Sequence, residues 1–351
     1  MQKKQYDAII LIGRFQPFHN AHLKILNRAN ELTNKIIVVI GSSNQPRTYK
    51  NPFSSKERQS MIEAESGAYI VFCEDNAYND QAWAVNVQKL VWDSLWDKST
   101  VDMYAQGKAP TINDFKIGII GHKKDESSFY LDMFPNWELI EIPLIESLDA
   151  TTIRDLYFRE NHNLNFLTNV VPEKTKEFLR AFAETEEFAQ IVRERKFIEE
   201  YKKQFSGLAY PPTFVTTDAV VIQSGHVLMI RRRSEPGKGL WALPGGFLNA
   251  ASDRSLVDAC IRELKEETGI KVPVPVLKGN IQDSRVFDAI NRSARGRTIT
   301  HAYKIVLPNG ELPKVKGLDD ADKARWVPIG ELYRNECFED HYDIINWAIG
   351  G

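Results

Sequence analysis

Residues 8–22 read Ala-Ile-Ile-Leu-Ile-Gly-Arg-Phe-Gln-Pro-Phe-His-Asn-Ala-His. A run of apolar residues ending on Gly13 predicts a short strand buried on both faces, as in a parallel sheet. Asn20–Leu32 follows with apolar residues at Leu23, Ile25, Leu26, Ala29 and Leu32, which is helical spacing. Lys35–Ile40 repeats the buried-strand pattern and again ends on a glycine, Gly41. Strand, loop, helix and strand make a βαβ unit, which predicts a doubly wound α/β sheet. Ala68–Phe72 and Phe115–Ile120 add strand patterns, and Trp83–Leu95 adds a helix.

The loop that starts at Gly13 therefore lies where ligands bind in such sheets, at a strand C-terminus that opens onto a helix. Free N–H groups and the positive end of the helix dipole favour phosphate there. His19 and His22 are three apart at the helix start and can face one ligand. Taken alone, two such histidines better suit a purely hydrogen-bonding role at the helix end.

At 351 residues the chain exceeds one average domain. Its net charge of −2, from 45 basic and 47 acidic residues, offers no basic excess. That argues against a nucleic-acid or membrane-surface partner. Cys73, Cys260 and Cys337 are far apart and odd in number, so reduced thiols of a cytoplasmic protein are expected. The N-terminus lacks signal-peptide architecture, and no apolar run approaches the ~18 residues of a membrane span. A homo-oligomer stays open.

Pro172 to Phe205 is rich in Glu, Lys, Arg, Phe and Ala without a strand pattern, and it reads as helix. Gly207–Pro212, Gly-Leu-Ala-Tyr-Pro-Pro, reads as a linker. The expected division is a first domain over residues 1–180, a helical connector over 181–207 and a second domain over 208–351. In the last, Asp218–Ile222 and His226–Arg231 flank Ser224-Gly225 as a hairpin. Ser255–Thr268 reads as helix with Gly269 as its stop, and His301–Leu307 and Ala324–Val327 read as later strands.

Residues 262–270 read Arg-Glu-Leu-Lys-Glu-Glu-Thr-Gly-Ile. On a helix, Glu263, Glu266 and Glu267 fall at i, i+3 and i+4, so one face carries three carboxylates. Like charges this close repel, and they suit a hard divalent cation. A solvated acidic face is the plainer alternative.

The stretch Gly13–His22 resembles the nucleotidyltransferase superfamily, whose HxGH motif follows the first strand. Ala21 stands where that family usually has Gly. Asp149-Ala-Thr-Thr-Ile-Arg154 matches the family's second motif, a Ser/Thr-rich turn ending in Arg. Gly41-Ser-Ser and Asn51-Pro-Phe-Ser-Ser-Lys-Glu-Arg58 look like the archaeal-type nicotinamide mononucleotide (NMN) adenylyltransferases. The resemblance implies a Rossmann-like domain in which Gly13, Arg14, Phe15, Ser42, Arg58, Gly121, Thr151 and Thr152 meet the nucleotide. It implies that His19, His22 and Arg154 carry the phosphate chemistry. Trp83 falls where that type has an aromatic that stacks on nicotinamide, and a core aromatic is the equal alternative. Gly121-His-Lys-Lys-Asp125 follows a strand and reads either as part of the nucleotide site or as a charged loop.

Leu243-Pro-Gly-Gly-Phe-Leu together with the acidic helix resembles the Nudix family, an α/β/α sandwich. The resemblance implies Glu263 and Glu267 as metal ligands, Glu266 as a catalytic carboxylate, and Mg²⁺ or Mn²⁺ as cofactor. The box GX5EX7REUXEEXGU spans 23 residues, whereas Gly246 to Ile270 spans 25. Counted from either end, the first Glu of the box falls on Ser252 or on Arg254, neither of them acidic. Asp253 or Asp258 is left to brace Arg262. Val286-Phe-Asp and Arg295-Gly-Arg-Thr-Ile-Thr-His301-Ala-Tyr look like the Nudix half of bifunctional adenylyltransferase–ADP-ribose pyrophosphatases. Arg295 and Arg297 then hold phosphates or are exposed strand arginines. ATP, NMN and ADP-ribose are the implied small-molecule substrates, with nicotinate mononucleotide an open variant. The rebuilt box also admits a Nudix domain that senses ADP-ribose without cleaving it.

Overall fold

A computed structural model describes residues 4–96, 104–105, 107, 109–123, 126–143, 149–160, 163–318 and 321–350. The chain divides into two compact units, Met1–Val192 and Arg193–Gly351. The division falls inside one helix, Glu186–Lys203.

The first unit holds a five-stranded sheet of β1 (Ala8–Gly13), β2 (Ile36–Ile40), β3 (Tyr69–Phe72), β4 (Ile117–Gly121) and β5 (Glu138–Glu141). The order is β3-β2-β1-β4-β5 and every pairing is parallel. Strand alternation splits the core in two. Ile9 and Leu11 of β1 pack with Leu26 and Ala29 of α1 (Asn20–Leu32). Ile10 and Ile12 pack with Val87 and Val91 of α3 (Asp80–Leu95). Both faces of β1 are thus dry, which is why its sequence shows no polar alternation. The order reverses at β1, so the loops after β1 and β4 flank the crevice where such sheets bind ligands. Between β2 and β3, α2 (Ser55–Glu63) begins with a capping box: Ser54 accepts the Glu57 N–H, and the Glu57 carboxylate accepts the Ser54 N–H at 2.7 Å.

The second unit is built on β6 (Thr213–Gln223), β7 (His226–Arg232), β8 (Trp241–Ala242), β9 (Gly245–Phe247), β10 (Ile281–Phe287), β11 (Arg297–Val306) and β12 (Ala321–Pro328). The main order is β10-β11-β6-β7-β12, with β8 on β7 and β9 on β6. Only β11 and β6 pair in parallel among the described pairings. The β6–β7 hairpin turns on Ser224 and Gly225, both at positive φ (48° and 73°). The helix Leu256–Thr268 is capped by the Ser255 side chain, which accepts the Asp258 N–H, and it stops at Gly269 with φ of 59°. It buries Cys260, Ile261 and Leu264 against Ala219 and Val221 of β6 and Leu228 of β7. That leaves its acidic face toward β9. No described helix is long and apolar enough to cross a membrane.

Candidate active sites

In the first unit the loop after β1 is folded tightly on itself. Phe15 has φ of 52°, and a Cβ at Gly13 would come within 2.9 Å of its ring. Gly13 is therefore needed for this close approach. The Phe15 ring is buried and meets the His22 ring edge-on at 4.8 Å. Its side chain supports His22 from within the core. Gln16, also buried, donates from Nε2 to the Phe53 carbonyl and accepts the Phe53 N–H on Oε1, both at 2.9 Å. Nothing local in the sequence marks this pairing, because the partners lie far apart in the chain.

His19 and His22 come together with ring centroids 3.7 Å apart. The His19 backbone N–H donates to His22 Nδ1 at 3.3 Å, so the neutral His22 ring carries its proton on Nε2. Burial lowers the His19 pKa to about 4, opposed by the charge of Asp149. Burial, and then His19 itself, takes His22 well below the usual histidine value. Both rings are neutral at pH 7. Among the described residues His19 Nδ1 is buried without a hydrogen-bond partner, a polar atom that a ligand would satisfy. Ala21 lies in the first turn of α1 and is partly exposed.

Arg154 reaches the same place from the helix Ala150–Tyr157. Its Nη1 donates to the carbonyls of Gln16 (2.7 Å) and Ala150 (3.2 Å), and its Nη2 donates to Thr151 Oγ1 at 3.2 Å. Burial lowers its pKa to about 10, and the nearby Arg14 charge adds to this. A buried guanidinium close to a second one makes an electropositive pocket. Thr152 gives its N–H to the Asp149 cap at 2.8 Å.

Arg58 lies under this loop. It is buried, and it donates to the carbonyls of Arg14 and Gly41 (both 2.7 Å), Ser42 (3.0 Å) and Ser54 (3.3 Å). With four donors spent on backbone it positions these loops. Ser42, at φ of 49°, gives its N–H and hydroxyl to the two oxygens of Asp75 at 3.1 and 2.7 Å. Trp83 is half-buried and packs on Tyr130 and Phe134 at 6.3 and 6.1 Å. Gly121 ends β4 where a Cβ would press on Leu131 at 3.0 Å. His122 Nδ1 bonds the Ile142 carbonyl at 2.9 Å, while Lys124 and Asp125 lie outside the described residues.

In the second unit a cavity of about 440 Å³ takes in Glu263, Glu266, Glu267, Arg262 and Arg295. The Glu267 carboxylate is buried and accepts the Gly245 N–H at 2.9 Å. Burial raises its pKa to about 8, with that N–H opposing and Glu263 adding. Burial also raises Glu263. A Cβ at Gly246 would lie 2.6 Å from the Glu263 carboxyl carbon, so glycine there lets β9 close onto the helix.

Arg262 organises these groups. Nε and Nη2 donate to the two oxygens of Asp253 at 2.9 and 2.8 Å, and Nη1 donates to Glu263 at 2.7 Å and Glu266 at 2.9 Å. The Arg262 hydrogen bonds pull the Asp253 pKa to about 2. Asp253 is thus the brace, while Asp258 turns to Lys278 and Ser255. Among the described residues, no group of three or more His, Cys, Asp or Glu side chains is disposed to hold a metal ion. The three carboxylates border one cavity, with Arg262 holding Glu263 and Glu266 and the Gly245 N–H holding Glu267. The donor set still fits a hard divalent cation. It is all oxygen, it faces a cavity, and burial penalises its charge.

Arg295 lines the cavity with its guanidinium 5.0 Å over the Phe247 ring. Arg297, at the start of β11, donates to the Asp288 carbonyl. Several lining residues carried no sequence signal. His341 Nδ1 accepts the Leu243 N–H at 2.8 Å, and its Nε2 is 4.0 Å from Asp218. Asp218 also accepts the Thr300 hydroxyl at 2.6 Å. Phe197 and Tyr201, on the expected connector, line the cavity as well.

The NUDIX domain family matches residues 212–348, and the cytidylyltransferase-like family matches residues 10–115. A nicotinamide/nicotinic acid mononucleotide adenylyltransferase of Acinetobacter baylyi is 37% identical over 193 residues, which are 53% of this chain and 92% of that protein. An ADP-ribose pyrophosphatase of Methanocaldococcus jannaschii is 33% identical over 34% of this chain and 63% of its own length. A bifunctional NMN adenylyltransferase/ADP ribose pyrophosphatase of Francisella tularensis, solved with AMP and a manganese ion, is 33% identical. It superposes with a TM-score of 0.84 over 98% of both chains. With both folds in the same order and likeness over nearly the whole length, this chain belongs to the bifunctional NMN adenylyltransferase/ADP-ribose pyrophosphatase family.

Proposed function

We propose that this chain makes and breaks pyrophosphate bonds in NAD metabolism, with one chemistry in each unit. In the first, a phosphate oxygen of NMN attacks the α-phosphorus of ATP, the bond to the β-phosphate breaks, and NAD and pyrophosphate result. The reaction needs no covalent intermediate, so positioning and charge neutralisation carry it. His22 Nε2–H, His19, Arg154 and Arg14 serve as donors to the phosphates, and Trp83 meets the nicotinamide end. In the second, water cleaves ADP-ribose to AMP and ribose 5-phosphate. The divalent cation this chemistry needs, which we assign as Mg²⁺, would be held by Glu263 and Glu267 with Glu266 beside them. Such a cation lowers the pKa of water and offsets pyrophosphate charge. Arg295 contributes a second positive group. The single observation behind the reading is that the His19–His22–Arg154 group and the braced acidic helix occur together in a chain similar end to end to a two-activity enzyme.

The test is direct. The pure protein is incubated with NMN, ATP and Mg²⁺, and separately with ADP-ribose and Mg²⁺, and products are separated by chromatography. NAD with pyrophosphate in the first and AMP with ribose 5-phosphate in the second are expected. Absence of NAD, or ADP-ribose bound but uncleaved, would remove the corresponding half.

A further inference from the structure

The helix Glu186–Lys203 looks in sequence like a spacer, yet two of its aromatics line the hydrolase cavity. Phe197 and Tyr201 are one helical turn apart, with centroids separated by 6.3 Å and planes only 23° apart. Tyr201 touches Phe214 of β6 at 5.7 Å, and Phe214 touches Phe247 of β9 at 5.8 Å. Phe247 directly follows Gly245 and Gly246, the glycines against Glu267 and Glu263. One continuous aromatic wall thus runs from the helix to the carboxylates. Other aromatic faces near the cavity are already covered: Arg232 lies 3.9 Å over Phe338 and Arg295 lies 5.0 Å over Phe247. Phe197 and Tyr201 stay partly exposed.

We infer that Phe197 and Tyr201 form the stacking surface for the adenine of the hydrolase substrate. This inference rests on the proposed ADP-ribose hydrolysis. That substrate has a charged middle and a single aromatic end. Its pyrophosphate belongs at the carboxylates and Arg295, and its purine belongs at the aromatic end of the wall, where any base has a face to offer. The spacer helix is therefore part of the hydrolase specificity site.

The test uses the full chain with Phe197→Ala, Tyr201→Ala and both together. The double variant is expected to raise KM for ADP-ribose about ten-fold or more with kcat little changed, since stacking holds the base in ground and transition states alike. Product inhibition separates this from general damage: AMP should lose inhibitory strength by a similar factor, while ribose 5-phosphate, which has no base, should not. Phe197→Tyr and Tyr201→Phe should restore wild-type values, and melting temperatures should show the variants folded. Unchanged KM and AMP inhibition in the double variant overturn the inference, as does equal loss for AMP and ribose 5-phosphate. Failure of the parent reading is seen separately, as a wild-type chain that does not cleave ADP-ribose. In that event the same variants are read by ADP-ribose affinity, with the same expected loss.

Discussion

In the first unit, Arg58 and Arg154 are held by neutral partners, the carbonyls of Arg14, Gly41, Ser42, Gln16 and Ala150. In the second, Arg262 is held by three carboxylates, those of Asp253, Glu263 and Glu266. Carbonyls fix a guanidinium without cancelling its charge, so the first site keeps a positive field for an incoming phosphate. Ion pairs cancel charge and fix geometry instead, so the second site depends on where its carboxylates stand. The first site should therefore respond to loss of donors, and the second to loss of a carboxylate and, more weakly, to loss of the brace that sets it.

The largest effect expected is at the second site. Glu263→Gln should reduce ADP-ribose hydrolysis to background while NAD synthesis is unchanged; unchanged hydrolysis would remove Glu263 from the metal set. His22→Ala should lower NAD synthesis about 10²–10³-fold, the scale for losing one transition-state donor. Its melting curve should stay close to wild type, and full retained activity would break the first half of the comparison. Asp253→Asn tests the brace. Hydrolysis should fall about 10–100-fold, as is typical when a partner behind a metal ligand is lost, and Asp258→Asn should do much less. Arg58→Met should cost about 1–3 kcal/mol of stability from carbonyls left unpaired, read by denaturant melts. The smallest effect is on pH dependence. The folded pKa of His19 lies near 4, below its unfolded value, so its contribution is fully present above ~6.5. That contribution is lost as pH falls toward 4. Melting temperature should drop over this window, and His19→Gln should flatten the drop.

The first fold was largely legible because strands dry on both faces leave an unbroken apolar record, as in Ile36–Ile40. β5, Glu138–Glu141, was missed because only its two middle residues are apolar. The histidine pair and the acidic helix were legible because each lies within one helical turn or two. Contacts that close over long separations were not: Gln16 with Phe53, Ser42 with Asp75, His341 with Leu243. Motif membership does not reveal how a side chain is buried, so the packing of Phe15 on His22 and the backbone bonds of Arg58 are visible only in the fold. Spacing offers both Asp253 and Asp258 as the brace, and the fold selects Asp253 because Lys278 engages Asp258.

The reciprocal amide pair between Gln16 and Phe53, with Arg58 on Gly41 and Ser42, pins both ends of the excursion between β2 and α2. The intervening stretch, roughly residues 43–52, is tied down in turn: Arg47 donates to both oxygens of Glu57 at 2.9 and 3.0 Å, and the Tyr49 hydroxyl donates to Asp155, the neighbour of Arg154. The excursion is thus a strut between two helices, and a change at Tyr49 is passed on to the helix that carries Arg154.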